Sequence, residues 1–405
     1  MLDSDSAQPE NKGSVQSRWS MLYPELIYEI LTYCLSDTPL DTYFPNRFPW
    51  YLGHIFRSWR SVFISSPRLW DRFTIDGSGS LAGVFKADHF ERALTLVELC
   101  IKRTKDQPFS FRFNERILGR EATPYLYRVM ETIVAHADRW SAAHVKINGC
   151  GEVDELLLKA KHRFRWLHTL YISVPPGAHH PDLFEDAPNL TRVYTTNYYR
   201  LRWSSLTVLH ISFHTFIKLF MEFDKMTCLQ ELVIQGSPMP REMVLQTPVE
   251  IPSLKILYVK HCYPLSFIRA GVSHLRTLSF NGNAYIFLGC IPELDHAIVG
   301  ISMLPVLVYM PRSLKTITIS DADLHEPEHE PERGTKTLGK ITSMVQRWEK
   351  HQFPNLRRLS VHVYDDGEED MSPAIDDLVQ LGASKGFEVE IKFSPFQIVP
   401  PFSDS

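Results

Sequence analysis

Apolar residues recur along this chain in two rhythms, a helical one first and a strand-like one after it. Between Ser20 and Ile75 the rhythm is helical. MLYPELIYEILTYCL sets Leu22, Leu26, Ile30 and Leu31 at the spacing of one helix face. Pro24 falls in the first turn, where its missing N–H costs little. After a connection from Thr38 to Pro49, WYLGHIFRSWRSVFISSPRLWDRFTI brings Ile55, Trp59, Val62 and Phe63 to one side of a second helix, and a third short turn holds Leu69 and Trp70. Three short helices over about 55 residues bury too little surface for a large core of their own. Such a module completes itself against a partner.

From about residue 105 the rhythm changes to a repeat. Eight segments fit apolar-x-x-apolar, starting at Leu167, Leu190, Leu206, Leu229, Leu254, Leu275, Leu314 and Leu356, and all but Leu190 extend to L-x-x-[LI]-x-[IVF]. Their separations are 23, 16, 23, 25, 21, 39 and 42 residues. The first five lie near the 20–29 of leucine-rich repeats, and the last two predict insertions. Each L-x-x-L-x-φ supplies a short strand whose alternate residues enter a shared core, and stacking buries what one repeat cannot bury alone. Phe109-x-Phe111-x-Phe113 and Val145-x-Ile147 alternate like earlier strands of the same sheet. Glu155 to Phe164, Phe216 to Met226 and Leu338 to Trp348 read as helical connections. The expected fold is an α/β repeat: an irregular, leucine-rich-repeat-like solenoid of short parallel strands and irregular helices, preceded by a small all-α module. The boundaries read 1–17 disordered tail, 18–76 helical module, 77–104 linking helical segment, 105–398 solenoid, and 399–405 disordered tail. Gly77-Ser-Gly79-Ser80 is the candidate joint.

The helical module carries a resemblance. Leu22-x-Pro24-Glu25-Leu26, Ile30-Leu31, Arg57-Ser58-Trp59-Arg60 and Pro67-Arg68-Leu69-Trp70 resemble, in that order, the F-box motif in its fungal form. IKRTKDQPFSFRF and DRWSAAHVKI are similar to the region that follows it in that family. Tyr23 stands where the family has the proline of an opening Leu-Pro pair, and Phe56 where it has a cysteine. The resemblance implies a non-catalytic receptor subunit of a ubiquitin ligase that joins a Skp-type adaptor and a cullin scaffold and holds a target protein on its repeats. It also implies that Leu22, Pro24, Leu26, Ile30, Leu31 and Trp59 face the adaptor or fix the helices. The alternative is a scaffold whose F-box-like helices dock on its own repeats and bind no adaptor.

Composition narrows the choice. The 43 basic and 47 acidic residues leave a net charge of −4, which offers no footprint for nucleic acid or an anionic membrane. Acidity collects in the last quarter, in DADLHEPEHEPE at 321–332 within an expected solvated loop at 321–334, and in DDGEED at 365–370. The six cysteines show no metal-type or disulfide-framework spacing and read as thiols of a reducing compartment, cytoplasmic or nuclear. The polar N-terminus lacks the features of a signal peptide, so the Asn189-Leu-Thr191 sequon is expected to stay unmodified. The longest uncharged apolar stretch, Ala297 to Met310, spans 14 residues against the ~20 of a membrane helix.

Two motifs suggest chemistry and fail on context. His325-Glu-Pro-Glu-His329 matches HExxH, but Pro327 would interrupt the helix that a zinc site of this kind needs. Gly334 to Lys340 matches GxxxxGK, yet Ile341 replaces the magnesium-binding hydroxyl and no strand precedes it. No cofactor or metal is expected. Trp50, Trp59 and Trp70 read as packing residues rather than a stacking platform.

Period-two alternation places the recognition surface. The residues two and four after each first Leu turn to the open face of the sheet. In the middle repeats these include Tyr171, Arg192, Tyr194, His210, Glu231 and Tyr258, a mixture of rigid rings and charge that suits a protein-binding patch. The plainer reading is ordinary exposed strand residues.

Overall fold

The computed structural model describes residues between Leu22 and Ser394, outside 45–48, 77–86, 115–122, 148–150, 176–179, 237–250, 261–273, 282–290, 321–332, 349–351, 365–370 and a few isolated single or paired positions. The terminal segments 1–17 and 399–405, the Gly77–Ser80 joint, the acidic run at 365–370 and the HExxH match therefore lie outside the described residues.

The strands β1 (Leu40–Asp41), β2 (Arg72–Asp76), β3 (Phe109–Asn114), β4 (Trp140–Lys146), β5 (Thr169–Ser173), β6 (Arg192–Thr195) and β7 (Val208–Ser212) come first. They are followed by β8 (Glu231–Gln235), β9 (Ile256–Lys260), β10 (Thr277–Asn281), β11 (His296–Gly300), β12 (Thr316–Ser320), β13 (Arg358–Tyr364) and β14 (Glu388–Ser394). All 14 lie in one sheet in chain order, each parallel to the next. The helices are α1 (Pro24–Leu35), α2 (Arg57–Ser65), α3 (Ala87–Arg103), α4 (Thr123–Val134), α5 (Gly151–Leu158), α6 (Phe213–Leu219), α7 (Arg333–Arg347) and α8 (Ser372–Lys385). An α/β solenoid with a sequential parallel sheet is thus the architecture.

Four expectations need correction. The segment 18–76 is not all-α: β1 and β2 lie inside it and open the sheet, with Phe73 paired to Phe111. The 39-residue gap is not an insertion but a missed repeat, Leu294-x-x-Ala297-x-Val299, whose strand β11 pairs β10 with β12. Alanine in place of the second leucine hid it. The loop expected at 321–334 reaches too far, since α7 begins at Arg333, and the GxxxxGK match at 334–340 lies within that helix. Finally, Leu31 does not share the situation of Leu26 as a single face would have it: α1 turns Ile27, Leu31 and Leu35 fully inward, Leu22 and Ile30 are half-buried against the core, and Leu26 is 50% exposed.

A regular set of polar contacts sets the strand spacing. The residue before each strand from β5 to β12 offers one carbonyl to two successive N–H groups of the next repeat. His168 O accepts from Thr191 and Arg192 at 3.0 Å, and Gln230 O accepts from Lys255 and Ile256 at 2.9 Å. A short polar residue just before the first leucine caps the neighbouring repeat: Ser205, Ser253 and Ser313 donate to Leu190 O, Leu229 O and Leu294 O at 3.0, 2.8 and 2.8 Å. Asn189 of the sequon does the same, donating its amide to Arg165 O at 2.8 Å. These contacts satisfy carbonyls that a strand end would otherwise leave unpaired.

Candidate protein-binding surfaces

The repeats place their leucines, isoleucines and valines in the core, and Leu170, Val193, Leu209, Leu232 and Leu257 are fully or almost fully buried. Their neighbours form rows across the other face. One row runs Arg112, His144, Tyr171, Tyr194, His210, Val233, Tyr258, in direct Cα register from β3 to β9. A second row carries Arg192, Val208, Glu231 and Ile256 on β6 to β9. All six solenoid residues picked from the sequence therefore share one face of five neighbouring strands. Arg112 and His144 extend the row and were missed, because β3 and β4 lack the L-x-x-L start that located the others.

The rings form a ladder. The His144 and Tyr171 rings stack at 3.9 Å and 15°, Tyr171 and Tyr194 follow at 6.2 Å and 27°, and Tyr194 meets His210 edge-on at 4.3 Å. Strands ~4.8 Å apart impose this spacing on side chains in register. His210 Nε2 lies 3.1 Å from Glu231 Oε1. Burial holds the His210 imidazole below its ordinary pKa even though the Glu231 carboxylate favours its charged form. The neutral ring then donates from Nε2, since an ionised carboxylate can only accept. Burial also raises the phenols of Tyr171, Tyr194 and Tyr258; Arg112 opposes this at Tyr171 and Arg192 at Tyr194, and Glu231 adds to it at Tyr194 and Tyr258.

The open face is less exposed than alternation alone predicts. His210 is 7% exposed, and Val233, Thr318 and Ser360 are also buried. Arg192 is exposed, while Tyr171, Tyr194, Glu231 and Tyr258 are half-buried. The accessible part of the row is a strip of ring edges flanked by Arg192 and Glu231. Among the described residues no group of three or more His, Cys, Asp or Glu could hold a metal ion. The ladder has hydrogen-bonding and stacking capacity.

The second surface lies on α1. Its inward residues Ile27, Leu31 and Leu35 join the core, whereas Tyr23, Leu26 and Tyr33 are 74%, 50% and 83% exposed. Tyr51 and Ile55, in the 3-10 turn and the residue after it, are exposed as well. Leu31 is fully buried and Trp59 is 7% exposed, so both fix the helices from inside and do not form a contact surface. Pro24 is exposed at the helix start, where its fixed φ suits the first turn.

Beneath this surface the module is bound to the sheet. Trp50 Nε1 donates to Asp41 O at 2.6 Å, Trp70 Nε1 donates to Phe63 O at 2.7 Å, and the two indoles meet edge-on at 5.9 Å. Arg72 caps α1 by donating to Leu35 O at 2.9 Å, and Arg103 of α3 donates to Ile64 O at 3.1 Å. The tryptophans pack, as their spacing predicts.

No protein-family model matches the chain, and no curated protein matches it. Among the described residues no helix is long and apolar enough to cross a membrane.

Proposed function

We propose that the chain is a receptor subunit that grips a target protein on the open face of its sheet and, through α1, joins a Skp-type adaptor and cullin scaffold of a ubiquitin ligase. The observation that carries this reading is the split character of α1. On a helix already anchored by Ile27, Leu31 and Leu35, the exposed Tyr23, Leu26 and Tyr33 recur at helical spacing, and a cluster of exposed apolar side chains is the kind of surface that a protein partner covers. Catalysis then belongs to the partners, and this chain supplies position.

The ring ladder gives the second half of the reading. Tyr171, Tyr194 and Tyr258 offer rigid amphipathic area at low entropic cost, and Arg192 and Glu231 supply orientation. The scaffold reading draws on the fusion of the module to β1 and β2. That fusion uses the inward side of α1 and leaves its outward side free, so the receptor reading is preferred. Co-expression with a Skp-type adaptor tests it: a stable complex is expected, and an adaptor that never co-purifies sinks the proposal.

A further inference from the structure

The two ends of the sheet are finished differently. At the start, β1 is only two residues long, Leu40 is fully buried, and Trp50 donates to the Asp41 carbonyl. At the other end β14 runs seven residues, Glu388–Ser394, and is last in the sheet order. Gly382 lets α8 press onto this strand, since a Cβ there would stand 2.4 Å from Val389 Cγ2. The apolar side of the repeat is nevertheless left incompletely covered. Val389 and Ile391 are half-buried, Phe393 is 46% exposed, and Val379 of α8 is 41% exposed. A solenoid's last repeat normally carries a polar outer side, and a long edge strand is a template for another strand.

The phase of β14 says what that strand must present. Glu388 N donates to Arg357 O at 2.9 Å. In a parallel ladder, Glu388, Glu390 and Lys392 therefore spend their backbone groups on β13, and Val389, Ile391 and Phe393 turn theirs to the open edge. We propose that β14 pairs antiparallel with β14 of a second copy of this chain, about a two-fold axis at Ile391. That register sets Ile391 against Ile391 and Val389 against Phe393, closing about six backbone hydrogen bonds. On the other face it sets Glu390 against Lys392 twice. A two-fold at Glu390 instead would pair Glu388 with Lys392 twice but oppose the two Glu390 carboxylates, so the axis at Ile391 is the one of the two without a like-charge contact. Within one chain Lys392 Nζ already lies 3.2 Å from Glu390 Oε1, which holds both charges at the edge where their counterparts arrive.

The test is sedimentation of the full chain over roughly 1 to 100 µM, where a reversible dimer is expected. Glu390→Lys or Lys392→Glu alone opposes like charges twice and should weaken dimerisation about tenfold or more. The double exchange Glu390→Lys with Lys392→Glu recreates both ion pairs and should restore it. A monomer at every concentration overturns the proposal, as it would if residues 395–405 covered the edge. So does a dimer indifferent to both single changes, or one that the double exchange fails to rescue.

Discussion

Leu26 and Leu31 sit five positions apart on α1 and should respond to truncation in opposite ways. Leu31 is fully buried, and Leu31→Ala leaves a cavity whose cost runs to about 2–5 kcal/mol. In a chain of 405 residues that lowers the melting temperature by a few degrees, at about 1 °C per kcal/mol. Leu26 is 50% exposed. Complete burial of a leucine yields about 1.5–3 kcal/mol, so about half of that remains to be gained when a partner covers it. Leu26→Ala should then weaken adaptor binding roughly fivefold while costing the fold about 1 kcal/mol. Leu26→Asp with Ile30→Asp forces charges into the same contact at several kcal/mol, which takes affinity down by at least about a hundredfold. The assay is titration of purified adaptor against each variant, with thermal melting of the free chain beside it. Equal adaptor affinity for wild type and the double aspartate variant would refute the assignment of this face. Lost affinity in Leu31→Ala with an unchanged melting temperature would refute the inward side.

Other outcomes follow from the same geometry. Arg192→Ala with Tyr194→Ala should cut proximity labelling of the bound target, with a stability cost of about 1 kcal/mol for the lost ring contacts; unchanged labelling places the target elsewhere. Burial pushes the Asp71 carboxyl up to about 6 against the pull of Arg72 and Arg68. Its folded pKa lies above the unfolded 3.8, so the contribution to stability is present below that value and lost as pH rises through about 6. Asp71→Asn should accordingly raise the melting temperature more at pH 8 than at pH 5, and a larger gain at pH 5 contradicts the sign. Gly339 of α7 has open space around a would-be Cβ, whereas that of Gly382 meets Val389 Cγ2 at 2.4 Å. Gly339→Ala should stabilise by about 1 kcal/mol and Gly382→Ala destabilise by about 1–3, and melting curves that move the other way reject the packing.

Strand positions were readable because burial on one side forces a fixed pattern on each repeat, and eight of the strands begin two residues after a leucine that the pattern finds. Where a signal was lost, a specific substitution explains it. Ala297 stands in the slot of the second leucine of β11. A different signal would have found that strand: Ile291-Pro-Glu-Leu294 matches Ile251-Pro-Ser-Leu254, Ala187-Pro-Asn-Leu190 and Phe353-Pro-Asn-Leu356, the turn that carries the capping serine or asparagine. The strand β1 could not be read because two residues have no period, and β2 was absorbed into the helical pattern of the tryptophans before it.

The two candidate surfaces were legible to different depths for a physical reason. On a strand, register is all or nothing: a slip of one residue would have turned every leucine outward, so the face of Tyr171 through Tyr258 follows from the core itself. On α1 two apolar stripes compete, Leu22–Leu26–Ile30 and Ile27–Leu31–Leu35, and helical spacing scores them alike. What separates them is tertiary. Arg72 holds the C-terminus of the helix by the Leu35 and Ser36 carbonyls at 2.9 and 2.5 Å, and Ile27, Leu31 and Leu35 are the side chains buried in the core. The side left outward is the one on which the F-box resemblance depends at Leu26, while the resemblance at Leu31 and Trp59 turns into internal support. Motif positions that read alike in a sequence therefore divide into those that hold the helix and those that it leaves exposed.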